Sequence, residues 1–257
     1  VIITVYEPST NAVGSASVNQ PIDESVLDNV AWHALNWPHA HFAQGGAFAK
    51  RYEFDVAPFF ATPSDNPPSW SELAGIADEG QVTLFRVAPI APPADWETLH
   101  VGSGFQMVLR GPLVNIPSLP RRSPNGAAVE LRDLETSDVP AMTELIALAQ
   151  PGPWRPRTIE LGGYIGIFHD DQLVAMAGRR SRPPGFCEIS AVCTHPSARR
   201  HGYASIVVAE VAERLRAEGD VPFLHLAATN VSAQAVYLKI GFQHRADSQF
   251  GLFRHRS

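Results

Sequence analysis

Residues 193–205, CTHPSARRHGYAS, join an apolar run that reads as a strand to an amphipathic run that reads as a helix. Downstream, Ala204, Val208, Val211 and Leu215 recur at helical spacing, while Glu210, Glu213, Arg214 and Glu218 fall on other faces. Gly219 stops that helix. PFLHLAAT, residues 222–229, follows at once and reads as a strand. Residues 186–229 are therefore predicted as strand, helix, strand, which implies a right-handed crossover between parallel strands. Such a sheet presents its ligand site at the carboxyl edge, beside the N-terminus of the crossover helix. The first N–H groups of a helix have no internal partner and favour an anion by about 0.3–1 kcal/mol per charge interaction at an exposed end. Gly202 admits close backbone approach, and Arg199 and Arg200 add charge-assisted hydrogen bonds. The stretch thus reads as a cradle for phosphate.

The cradle stands out because the chain around it is acidic. Its 257 residues carry a formal charge of −6, with 45% hydrophobic and 18% charged residues. That balance suits a globular protein and argues against a broad nucleic-acid or anionic-membrane surface, so no nucleic-acid or membrane partner is expected. No run approaches the ~18 apolar residues of a membrane helix, and the opening VIITVY is too short and lacks the basic flank of a signal peptide. A cytoplasmic location is the expectation. Cys187 and Cys193, if they lie on one extended strand, are about 20 Å apart and read as reduced core thiols. His39 and His41 have no apparent third ligand, so no metal is expected. Trp32, Trp37, Trp70 and Trp96 read as core of the first half.

Pro112, Pro117, Pro120 and Pro124 interrupt the chain before Gly126 and can sustain neither a helix nor a central strand. The expected division is residues 1–111, a linker at 112–126, and residues 127–257. In the second part AVELRDL reads as a strand, Thr136 to Asp138 as caps of a helix ending near Ala149, and GYIGIFH with QLVAMAGRR as a hairpin. In the first, ESVLDNVAWHAL and SWSELAGIA look helical, and AFAKRYEF, QVTLFRVA and GFQMVL look like strands. Gly102 to Gly104 precede the last of these strands and do not open a helix. If the first half is a degenerate copy of the second, its anion loop is gone.

With these elements in place, ARRHGYA resembles the R/Q-x-x-G-x-G/A loop of the GNAT acyltransferase superfamily, with Arg199, Gly202 and Ala204 at its three fixed places. EISAVCTHP is similar to that superfamily's fourth strand, and ATNVSAQAVYLKIGF, residues 228–242, to its second cofactor segment. The resemblance covers about residues 127–255 and lies nearest the FR-type GNAT-like proteins with an N-terminal extension. It implies an α/β (α+β) fold with a mixed, splayed sheet in the second half and a smaller mixed α/β first half. It also implies an N-acetyltransferase that uses acetyl-CoA and an amine acceptor; the alternative is a CoA-binding sensor without turnover. The sequence admits a homodimer.

Carried over residue by residue, the resemblance implies that the backbone from Arg200 through His201, Gly202 and Tyr203 to Ala204 cradles the pyrophosphate. It implies that Val192 and Thr194 pair their main chain with the pantetheine arm, and that Asn230 bonds that arm while capping a helix. Tyr237 stands where members present a phenol to the CoA sulfur, and Glu188 where histone-type members carry a general base. A base has work to do, because an amine of pKa ~10.4 costs roughly 4–5 kcal/mol to deprotonate at pH 7. Without a bulge, strand parity places Glu188, Ser190, Val192 and Thr194 on one face; the resemblance implies that a bulge is common here, which leaves open which side chains face the cleft. His225, on an otherwise apolar strand, reads as a satisfied core or cleft histidine.

Overall fold

The structure, a computed structural model, describes residues 22–256; the VIITVY segment lies outside them. Helix α1 (Val30–Asn36) follows a 3-10 turn at Glu24–Asn29 and leads into three short strands, β1 (Ala43–Gly45), β2 (Lys50–Tyr52) and β3 (Phe59–Ala61). Helix α2 (Pro67–Ile76) starts on the Asn66 side chain, which accepts from the Ser69 N–H, and strands β4 (Gln81–Arg86) and β5 (Trp96–Val108) complete the first half. The second half runs β6 (Val129–Leu134), α3 (Val139–Ala149), β7 (Tyr164–His169), β8 (Gln172–Arg179), β9 (Phe186–Thr194), α4 (Tyr203–Ala217), β10 (Val221–Ala227), α5 (Val231–Lys239) and β11 (Gln243–His255). Between the halves, residues 112–126 contain no helix or named strand.

All the strands among the described residues form one sheet in the order β1-β2-β3-β4-β11-β5-β10-β9-β8-β7-β6. The two halves are interleaved in it: β5, from before the proline-rich segment, lies between β10 and β11, antiparallel to both. β5 begins at Trp96, so Gly102 and Gly104 are inside the strand and do not precede it. Gly102 is required there because the ring of Phe250 on β11 occupies its side-chain space, 1.9 Å from where a β-carbon would stand.

The parallel pair expected from the crossover is present and short. β9 and β10 are in register only at Val221 with Phe186, Pro222 with Cys187 and Phe223 with Glu188, and then diverge. Beyond that point β10 pairs with β5 as far as Ala227, while β9 continues against β8. Cavities open where strands part, and this splay is where the site lies.

Packing fixes the splay from both faces. On one, Val207, Val208, Val211 and Leu215 of α4 are fully buried against Ile165, Ile167, Val174, Cys187 and Ile189. Each such aliphatic side chain contributes on the order of 1.5–3 kcal/mol over its exposed state. On the other, Met142, Leu145 and Ile146 of α3 cover Tyr164, Phe168, Leu173, Met176 and Cys193. Cys187 and Cys193 thus face opposite sides of one strand, although their even separation predicts the same side. The reason is a bulge: Ala191 has φ 52, and the β8–β9 register shifts between Met176 and Gly178. Val192 joins Cys187 and Ile189 on the α4 side, which corrects the parity that grouped it with Glu188 and Ser190. Both cysteines are free and buried.

Candidate active site

A cavity of about 670 Å³ fills the wedge between β9 and β10 and reaches the N-terminus of α4. Of the residues singled out in the sequence, Val192, Thr194, Arg199, Arg200, Gly202, Tyr203, Ala204, Asn230 and Tyr237 line it. His201 and Glu188 do not. His201 turns away, its Nδ1 3.2 Å from the Ala198 carbonyl and its ring 5.9 Å from that of Tyr203.

The loop gets its shape from two left-handed residues, Arg200 at φ 66 and Gly202 at φ 80. Ile206 N–H closes the first helical turn on the Gly202 carbonyl. The N–H groups of Arg200 through Ser205 donate to no protein acceptor among the described residues. Arg199 and Arg200 are exposed and form no ion pair among the described residues, whereas Arg180 and Arg245 are paired with Glu188 and Asp28. Free donors, two uncommitted guanidinium groups and a helix dipole therefore converge on the cavity mouth, which suits a polyanion. Gly202 has a second constraint: Pro117, from the connector, packs against its α-carbon, so its lack of a side chain serves the chain's own packing as well.

At the cavity's other wall Tyr237 is buried on α5, its phenol pushed above the usual range by burial and then by the neighbouring Cys193 thiol. At neutral pH it is a hydrogen-bond donor. Asn230 caps α5, accepting from Ala233 N–H at 3.2 Å and from the Ser232 hydroxyl at 3.1 Å. The Tyr203 hydroxyl is 2.8 Å from His169 Nε2, which anchors the first residue of α4 to β7.

Glu188 is 1% exposed and stands behind Arg180 and His225, which do line the cavity. Arg180 donates to it through Nη2 at 2.5 Å and Nε at 2.9 Å, His225 Nδ1 is 2.7 Å away, and Ser181 N–H lies at 3.4 Å. Those four donors match the four lone-pair positions of a carboxylate. Burial on its own would raise the Glu188 pKa, but Arg180 first and His225 second outweigh it and hold the carboxyl below its ordinary range. A carboxylate so engaged is a weak proton acceptor, and the geometry gives no support to the general-base role anticipated for it.

Arg180, which lines the cavity, was not anticipated as a site residue; its signal is faint, an arginine that ends the apolar hairpin strand QLVAMAGRR. His39 and His41 make no metal centre with their neighbours, and among the described residues no three His, Cys, Asp or Glu side chains group as metal ligands. Burial lowers the His39 pKa to about 4, with its Nδ1 3.0 Å from the Tyr52 hydroxyl. No helix among the described residues is long and apolar enough to cross a membrane.

Residues 164–250 match the family described as FR47-like protein. No protein of curated function matches the sequence. Among solved structures, a GNAT-family protein assigned as an acetyltransferase, from Novosphingobium aromaticivorans DSM 12444, is 32% identical with a TM-score of 0.77 over 90% of this chain and 99% of its own. A GCN5-related N-acetyltransferase from Kribbella flavida shares the fold at 16% identity and TM-score 0.58, covering 90% of this chain and 95% of its own. A Drosophila protein shares it at 17% identity and TM-score 0.58, covering 81% and 74%. With the splayed strands, the bulged β9 and the loop at the head of α4 all in place, and with a 32%-identical relative matched almost end to end, the chain belongs to the GNAT acetyltransferase family.

Proposed function

We propose that this protein transfers an acyl group, acetyl in the first instance, from acyl-CoA to a primary amine by direct attack. The observation that carries the proposal is the convergence on one cavity of the open N–H groups at the head of α4, the uncommitted Arg199 and Arg200, and the buried phenol of Tyr237. The run from Arg200 to Ala204 would hold the pyrophosphate, with Arg199 beside it. The β9 edge at Val192 and Thr194, left without a strand partner once β10 diverges, would pair with the pantetheine amides, and Asn230 would close that side. Acetyl-CoA supplies the activated thioester. The chain's own part is to align the acyl carbon between parted strands, exclude water and offer the Tyr237 proton to the leaving thiolate.

In this scheme residues 127–257 hold the CoA side, while the first half, which places β5 against β10 and Phe59 against the Arg180 guanidinium at 5.0 Å, shapes the acceptor side. Free-thiol release from acetyl-CoA across a panel of amines, amino acids and peptides tests the proposal. The commitment of Glu188 to Arg180 and His225 favours a second reading, binding without turnover. Stabilisation by CoA with no thiol release above background from any amine would decide for it. No stabilisation by millimolar CoA or acetyl-CoA would sink both.

A further inference from the structure

Five side chains on neighbouring elements of the sheet form one directed row of hydrogen bonds, of which His225 and Arg180 line the cavity. Arg245 of β11 donates from Nη1 to Gln106 Oε1 on β5 at 2.8 Å. Gln106 Nε2 lies 2.9 Å from His225 Nε2 on β10, and His225 Nδ1 lies 2.7 Å from Glu188 Oε1 on β9. Arg180, the residue after β8, completes the row at Glu188. The row therefore bridges the gap left where β9 and β10 stop pairing.

The direction of each bond is set by Gln106, which is fully buried. Its Oε1 accepts from Arg245 and its Nε2 donates to the Leu27 carbonyl at 2.8 Å, so its carboxamide has one orientation. The remaining amide hydrogen points at His225 Nε2, which must accept. The imidazole proton is then on Nδ1, directed at Glu188. The rings of Phe85 and Phe223 stand edge-on to His225 at 4.3 and 5.6 Å. The charges around it are Glu188, Arg180 and Arg245, and Arg245 is answered by Asp28 at 2.8 Å and Glu24 at 3.5 Å. A proton on Nε2 would meet the Gln106 N–H group head-on. Turning the amide to receive it would forfeit the Leu27 bond and set two donors, Gln106 and Arg245, against each other. Burial also disfavours the imidazolium, against the pull of Glu188.

We propose that Gln106, on a strand contributed by the first half, is a positioning residue of the cleft: it locks His225 as the neutral Nδ1–H tautomer and keeps Glu188 committed to His225 and Arg180. This wall is then a fixed hydrogen-bonding surface and takes no proton from an incoming amine. Its catalytic consequence, release of the amine proton to water, rests on the N-acyltransferase reading; the tautomer does not.

Imidazole ¹⁵N spectra of the full chain between pH 5.5 and 8.5 test the lock. Wild-type His225 is expected to show the Nδ1–H pattern with no titration across that range. Gln106→Met removes the donor without adding charge, and is expected to shift both His225 nitrogens and bring a titration midpoint into the range. Gln106→Glu, if it folds, is expected to yield the imidazolium at neutral pH. CoA affinity, measured by calorimetry, is expected to stay within twofold in Gln106→Met. An Nε2–H tautomer or a titrating His225 in the wild type would overturn the proposal. So would Gln106→Met with unchanged His225 signals, or with CoA affinity lost more than tenfold, which would mark a general collapse of the cleft. Failure of the wild type to bind CoA would instead count against the acyl-CoA reading and leave the tautomer result standing.

Discussion

A β-carbon on Gly202 would stand 2.7 Å from Cγ of Pro117, so the proline-rich connector and the head of α4 are packed as one unit. The φ of +80 at Gly202 makes a second, independent demand on the same residue. Gly202→Ala is expected to lose about 1–2 kcal/mol from the left-handed backbone, and more from the clash. Adding Pro117→Ala should relieve the clash and leave the backbone cost. Denaturant unfolding of the two single variants and the double resolves this: simple additivity would mean that the contact contributes nothing.

Arg199 and Arg200 are exposed at the cavity mouth without carboxylate partners among the described residues, so removing either should cost ligand affinity and little stability. Each Arg→Ala substitution is expected to weaken CoA binding about tenfold, at the lower end for hydrogen bonds to charged groups because the site is open to water. Pantetheine, which lacks the pyrophosphate, should bind wild type and variants alike, and added salt should narrow their difference for CoA. Equal losses for pantetheine and CoA in calorimetry would remove the phosphate role.

The loop was legible because it is local: the spacing from Arg199 to Gly202 and Ala204 sets geometry along a single segment. Asn230 and Tyr237 were placed by the family resemblance, and all five residues line one cavity. The polar wall was not legible, because its partners are remote: Gln106 and His225 are 119 residues apart, and nothing in an apolar strand pattern names which strand will lie alongside. The same remoteness hid the insertion of β5 between β10 and β11, for which a composition break at 112–126 gives no hint. The bulge at Ala191 has no local signal, because alanine carries no turn preference; only the family resemblance pointed to a bulge on this strand, and Ala191 carries it at φ 52.

Tyr237 is buried against the cavity with a phenol held protonated by its surroundings, and its hydroxyl has no hydrogen-bond partner among the described residues. Tyr237→Phe should therefore change stability by less than about 1 kcal/mol. If the hydroxyl delivers the proton to the leaving thiolate, turnover with any productive amine should fall about a hundredfold while CoA affinity stays within twofold. Wild-type turnover in this variant would leave Tyr237 with packing against Phe242, 6.0 Å between ring centroids, as its whole role.

Glu188 neutralises Arg180 inside the protein, and the two sit 1% and 18% exposed. Glu188→Gln leaves a guanidinium there without its counter-ion, and the expected loss is about 3–5 kcal/mol at pH 7. The sign of its pH dependence follows from the direction of the shift. The folded carboxyl is held below its ordinary range, so its stabilising contribution is complete above the unfolded pKa of about 4.3 and is lost as pH falls below that value toward the folded one. The gap between wild type and Glu188→Gln should thus be equal at pH 7 and pH 5 and smaller at pH 3, shrinking by up to about 1.4 kcal/mol per pH unit. Urea unfolding at the three pH values measures it. A gap that stays constant down to pH 3, or is absent at pH 7, would mean that the charge on Glu188 is not what secures this wall of the cleft.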